Sequence, residues 1–192
     1  MKNTQLYFVY VLICCLMISC NTKSSNKNKK TSETPEATLK QLLPKETKIR
    51  VLIDKSDYTL SVFTSDTLVK QYDVVFGGNP IDDKHKEGDK CTPEGVFGVR
   101  DKYPHRNWSK FIWIDYPNET SWKKFKSRKA KGVIKDGETI GGEVGIHGVP
   151  DGMDNMIDAK RNWTLGCISM KNKDVNEIYP YITKQTQITI QK

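Results

Sequence analysis

Cysteine and histidine are scarce in this chain, and where they occur they are poorly placed for metal. Five Cys and three His stand among 192 residues, and none shows the repeated close pairing that structural zinc sites use. Neither a metal nor a cofactor is therefore expected. Acidic residues are also in deficit, 23 against 31 Lys and Arg, for a formal net charge of +8. Long apolar runs are missing apart from one, Leu6 to Ile18, and that one is shorter than the ~20 residues that span a bilayer comfortably. No internal repeat is present. What remains is ordinary: 36% hydrophobic residues supply a genuine core for one domain plus a tail, which argues against a long disordered chain.

The basic charge is unevenly spread. Lys2, with the seven Lys and three Glu of residues 20–48, accounts for all but +3 of the total. The part expected to fold is thus only mildly basic, and a nucleic-acid partner is not expected. At the N-terminus, Lys2, the apolar run Leu6 to Ile18 and the small pair Ser19-Cys20 follow the three-part order of an export signal. Leu16-Met17-Ile18-Ser19-Cys20 resembles the lipobox of bacterial lipoproteins, which implies that Cys20 is lipidated and anchors the chain to a membrane. An ordinary cleaved signal peptide is the plainer alternative. Cys14 and Cys15 leave with the signal in either case, so Cys91 and Cys167 are the thiols of the mature domain. The expected organisation is a signal at residues 1–19, a lipidated Cys and polar tether at 20–47, and a folded domain at 48–192.

From Ile49 onward the pattern changes to short alternating runs rich in β-branched residues. Residues 49–53, 58–63 and 68–76 read as three strands of an antiparallel meander. Further strands are expected at 96–100, 111–115, 144–147, 167–170 and 187–190. Residues 119–130, with Trp122 and Phe125 three apart, read as a short amphipathic helix, and Asp174 reads as the cap of a second one reaching Tyr181. The result is a mostly β domain with one or two short helices, and its long middle section, 117–164, is the expected substrate surface.

Two residues have the right neighbours for acyl chemistry. Cys167 lies in Trp163-Thr164-Leu165-Gly166-Cys167-Ile168, where the N–H groups of Gly166 and Cys167 are placed to receive an oxyanion; a buried inert thiol is the alternative. His147 lies between Ile146 and Gly148, with Gly145 two before it, which leaves an imidazole uncrowded for work as a base; a structural histidine is the alternative there. His85 and His105 sit in charged or aromatic loop sequence and are expected to face solvent. Glu94, Asp151, Asp154 and Asp158 are not placed to suggest a glycosidase pair.

The order of these fragments resembles the L,D-transpeptidase catalytic domain, or YkuD family. The matching pieces are His147-Gly148, then Thr164-Leu165-Gly166-Cys167-Ile168, with Gly88-Asp89, Thr92-Pro93-Glu94-Gly95 and Phe97 upstream. Tyr116-Pro117-Asn118, Trp163 and Asn172 resemble the YafK-like branch. The likeness runs from about Ile49 to the C-terminus. It implies a β-sandwich with mixed sheets, Cys167 as nucleophile and His147 as its proton partner. It also implies Thr164, Leu165 and Gly166 as oxyanion or orienting residues, and Gly148, Arg161, Trp163 and Ser169 as substrate contacts. Ser169 stands where the broad family commonly carries Arg or Asn, and Arg161 is the candidate to replace that charge. The implied activity is peptidoglycan acyl transfer through a thioester on the third stem residue, of diaminopimelate type. It would form crosslinks or attach protein to the wall. Hydrolysis that releases a wall-linked lipoprotein is the alternative, and a non-catalytic wall-binding module a minor one. Stem peptides are the implied partners, and a lipid-anchored place in the bacterial envelope, periplasmic or at either membrane, is the implied location.

Overall fold

The computed structural model describes residues 37–192. The signal and lipobox residues, Cys20 included, lie outside them. Helix α1 (Leu39–Leu42) is followed by strands β1 (Arg50–Asp54), β2 (Thr59–Thr64) and β3 (Thr67–Val75). Then come β4 (Gly95–Phe97), β5 (Val99–His105), β6 (Ser109–Ile114), helix α2 (Glu119–Ala130) and β7 (Gly145–His147). Helix α3 (Asn155–Asp158), β8 (Ile168–Met170), α4 (Asn172–Ile178) and β9 (Gln187–Gln191) complete the chain.

The strands run in the order β4-β9-β1-β2-β3-β8-β7-β6-β5. β1, β2 and β3 form the expected antiparallel meander. β3 then passes the chain from one sheet to the other, since its last residues, Val74 and Val75, pair with Met170 and Ser169 of β8 instead of with β2. The pairings β1–β9 and β7–β8 are parallel, which makes the sheets mixed. β4 and β5 end the strand order at opposite sides, yet Gly98 alone separates them in sequence. The order therefore curls back on itself, and the two sheets make a sandwich close to a closed barrel. The core between them is β-branched and aromatic: Ile53, Leu60, Val74, Phe76, Ile112, Ile114, Ile146, Ile168 and Ile178 are all fully buried. Alternation along the meander strands puts Ile53, Leu60 and Val74 there, whereas Ile146 and Ile168 lie on the short, wholly buried β7 and β8.

Three boundaries differ from expectation. The run 96–100 is two strands, because Gly98 breaks the ladder and its carbonyl is bonded by Asp115 N–H (3.0 Å). Helix α4 begins at Asn172, with Lys171 at the cap position. Asp174 is therefore inside its first turn and is not its cap. The folded unit also starts before Lys48: Leu39 is fully buried in the main core with Leu43 packed against it. Its N–H donates to Glu177 Oε1 of α4 (2.5 Å). Leu39, Leu42 and Leu43 were hidden in a polar stretch that reads as tether. Helix α2 has the expected bounds; Asn118 caps it by accepting from Ser121 N–H (3.1 Å). Phe125 is its buried anchor, while Trp122 remains 43% exposed.

Candidate active site

His147 ends β7, a strand flanked on both sides. It lies opposite Phe111 of β6 and opposite Ser169 of β8. Gly145, two residues earlier, has no room for a side chain: a Cβ there would meet the Phe111 ring at 2.5 Å and Ile112 O at 2.7 Å. His147 is 1% exposed, and its ring is packed among aromatics. It stacks on Trp108 (centroids 4.5 Å) and on Phe111 (5.8 Å), and meets Trp163 edge to face (5.6 Å). Nδ1 lies 2.6 Å from Gly148 O. A carbonyl can only accept, so Nδ1 bears the proton of the neutral ring and Nε2 carries the lone pair.

Cys167 immediately precedes β8. The register Ile146↔Ile168 and His147↔Ser169 puts Cys167 level with Gly145. Side chains two apart on a strand share a face, so Cys167 and His147 are diagonal neighbours on one face of the sheet. The sulfur lies 3.5 Å from Glu143 O, and the nearby Gly145 N–H favours its thiolate form. Thr164 folds the approach to Cys167 into a tight turn. Its Oγ1 donates to Cys167 O (2.7 Å) and accepts from Gly166 N–H (3.1 Å). Gly166 has φ +137°, and a Cβ there would meet Cys91 O at 2.7 Å, so glycine is required. The Gly166 N–H, expected to receive an oxyanion, is thus engaged by Thr164 in this structure.

Both side chains open into one cleft of ≈ 950 Å³. Trp163, Thr164, Leu165 and Gly166 line it as well, and Leu165 stands 76% exposed at its lip. Three expected substrate contacts are elsewhere. Ser169 is fully buried and its Oγ donates to Gly148 O (3.2 Å), the same carbonyl that holds His147. Gly148 is buried under Asn172 and Trp108. Arg161 is exposed and is not among the residues that line the cleft. The cleft's cation is instead Lys84.

The cleft also extends beyond residues 117–164, the section expected to carry the substrate surface. The β5–β6 hairpin contributes a wall of Tyr103, His105, Trp108, Phe111 and Trp113. His105 does not simply face solvent; it stacks on Trp108 at 4.3 Å. The signal for this wall was in the sequence. Tyr103 and His105 are two apart, Phe111 and Trp113 are two apart, and the hairpin register pairs Tyr103 with Phe111.

Residues 48–190 match the L,D-transpeptidase catalytic domain, YkuD. The chain belongs to this family. Its fold is also that of Bdellovibrio bacteriovorus Bd1075 (20% identity, TM-score 0.52, 76% of this chain and 48% of that one). The helical cell shape determining protein Pgp2 from Campylobacter jejuni is similar too (23% identity, TM-score 0.54, 77% and 48%). This chain spans about half the length of those two proteins. Among curated proteins, none matches it.

Within this L,D-transpeptidase domain the two central groups are neutral at rest. Burial lowers the His147 pKa from 6.5 to about 4, against the opposing pull of the Gly148 carbonyl. Loss of hydration likewise pushes the Cys167 thiol up to about 11, although the Gly145 N–H and the Lys84 charge both favour the thiolate. The resting pair is thus a thiol and a neutral imidazole. Cys91, also a free thiol, is buried and pushed up to about 11 by burial and by Asp89 and Asp82.

The sign of the His147 shift gives a measurable consequence. Unfolded chain binds this proton below pH 6.5 and the folded chain only near pH 4, so folding stability falls as pH drops through that window. The full loss is roughly 3 kcal/mol. The Cys167 shift acts in the other direction and removes stability as pH rises from 9 towards 11. Urea melts at pH 7.0, 5.5 and 4.5 are expected to show the acid limb, and His147→Phe to flatten it. An acid limb of unchanged size in His147→Phe would assign the effect to other groups.

Proposed function

We propose that this chain is a cell-envelope acyltransferase of peptidoglycan stem peptides in which Cys167 is the nucleophile and His147 moves the protons. The observation that carries the reading is the Nδ1 contact to Gly148 O, which leaves the Nε2 lone pair for the thiol. Because the resting pair is neutral, attack and proton transfer go together. The Cys167 S–H proton passes to Nε2 as sulfur bonds to the carbonyl carbon of the third stem residue, a diamino acid. The Cys167 N–H receives the oxyanion in place of Gly166. Collapse of that intermediate breaks the C–N bond, the imidazolium returns its proton to the leaving amine, and a thioester remains. An incoming amine then gives up its proton to Nε2 and attacks the thioester. A new amide forms, the C–S bond breaks, and the sulfur recovers its proton from the imidazolium.

The aromatic wall supports this reading further, because it is wide and apolar enough to hold a peptide backbone and to exclude water around the sulfur. Placement in the envelope, with a lipid on Cys20 as anchor, rests on the lipobox-like residues 16–20. The membership of Tyr116, Pro117, Asn118 and Trp163 in a YafK-like pattern is part of the same proposal. Incubating the full chain in detergent with a purified tetrapeptide muropeptide and an amine-bearing acceptor stem tests it by mass spectrometry. A crosslinked product with loss of the terminal residue is expected. Trimmed peptide without crosslink would mean that water is the acceptor, and no change in either peptide would overturn the proposal.

A further inference from the structure

Three lysines are buried in this domain, and one of them is different. Lys55 gives its ammonium to three acceptors, Ile81 O, Asp82 O and Glu94 Oε1. Lys70 is held by Ala37 O and by both Glu177 oxygens. Neither lines the cleft. Lys84, only 6% exposed, does line it, and among the described residues it has two acceptors, Asp89 Oδ1 (2.8 Å) and Lys86 O (3.1 Å). An ammonium carries three donors, so one N–H is left for an acceptor arriving in the cleft.

The position is also rigid and central. Asp89 is itself fixed by the N–H groups of His85 (2.7 Å), Lys86 (2.9 Å) and Cys91 (3.0 Å). Arg128 donates to Lys84 O (2.9 Å). Lys84 Nζ lies 3.8 Å from where a Cβ on Gly166 would stand, beside the residue that precedes the nucleophile. Two exposed carboxylates, Glu87 and Glu143, line the same cleft, and Glu143 O is the carbonyl that touches the sulfur. A ligand that is a bare carboxylate would gain Lys84 but meet repulsion from both glutamates. A ligand that is a bare ammonium would gain the glutamates but leave Lys84 with an empty donor. A zwitterion satisfies both signs.

From this juxtaposition of a buried cation, two carboxylates and the nucleophile, we infer that Lys84 is a specificity-determining residue. It binds the carboxylate of a zwitterionic α-amino-acid group at the far end of the donor's diamino third residue, whose ammonium meets Glu143 and Glu87. The inference rests on the peptidoglycan reading above and adds to it a choice: a diamino acid with a far carboxylate is taken, one ending in a plain ammonium is not. Lys84 is not needed for a resting thiolate, since the Cys167 thiol stays protonated beside it.

The test uses the full chain carrying Cys167→Ala, so that binding is read without reaction. Calorimetry would compare three stem peptides: one with the zwitterionic end, one with that carboxylate converted to carboxamide, and one with lysine in its place. The first is expected to bind about tenfold more tightly than the other two, the worth of one charged hydrogen bond. Adding Lys84→Met should shrink that preference below about twofold, and Lys84→Arg should keep most of it. Equal binding of the three peptides overturns the inference without any variant at position 84 having to fold, and so does a preference that survives Lys84→Met. If none of the three binds, the stem-peptide reading itself is lost, and the inference falls with it.

Discussion

His147→Ala is expected to slow product formation by about a hundred- to ten-thousandfold, the usual worth of a positioned general base. Cys167→Ala is expected to abolish it. The distinction follows from the neutral resting pair. With the thiol at about 11 and the imidazole at about 4, the sulfur is not a standing thiolate that His147 merely stabilises. Removing the ring therefore removes the path for the proton, and raising the pH should partly restore the rate, because solvent can then take that proton. Turnover followed from pH 6 to pH 10 checks this: the His147→Ala profile should climb with pH more steeply than that of the unaltered protein. A parallel profile would mean that the imidazole does not accept the thiol proton. Labelling with a neutral alkylating reagent adds an independent reading, since Cys167 should outpace the buried Cys91 in the unaltered protein and lose part of that lead in His147→Ala.

Gly148→Ala is expected to be among the most damaging single-methyl changes in the domain. A Cβ at that position would stand 2.0 Å from Asn172 Oδ1 and 2.7 Å from Trp108 O, and neither oxygen is at the end of a flexible chain. Asn172 Oδ1 accepts from Val149 N–H (3.1 Å). Trp108 O accepts from both Gly148 N–H (3.0 Å) and Lys110 N–H (2.6 Å). The backbone must move, at a cost of about 3 kcal/mol or more. The same shift displaces Gly148 O, the acceptor of His147 Nδ1 and of Ser169 Oγ, so whatever protein folds should also lose activity. Chemical denaturation with a turnover assay would measure both losses, and a near-neutral outcome in either would show that this corner is looser than its contacts imply.

Much of the β architecture was legible because period-two alternation is a local property. The meander 49–76, the strands around Val144 and Ile168 and the helix over residues 119–130 each announce themselves within a dozen residues. Gly98 was a weaker signal: a single glycine in an apolar run is compatible with one continuous strand until the two halves are seen to join different sheets. Leu39 was missed for a related reason. Three leucines in a polar stretch are too few for a periodic pattern, and burial depends on the α4 and β3 surfaces far along the chain.

In the site, the residue types carried the chemistry and long-range packing assigned the roles. Motif order along the chain singled out Cys167, His147 and the Thr164–Gly166 turn through their family resemblance, while the residues alone left a buried inert thiol and a structural histidine open beside them. It could not say that Gly166 N–H is spoken for, that Ser169 holds a carbonyl where a substrate contact was expected, or that Lys84 in place of Arg161 brings positive charge to the cleft. Those assignments depend on strand register and on hydrogen bonds between residues up to tens of positions apart. The tautomer of His147 depends on where one carbonyl oxygen comes to rest, which no stretch of sequence records.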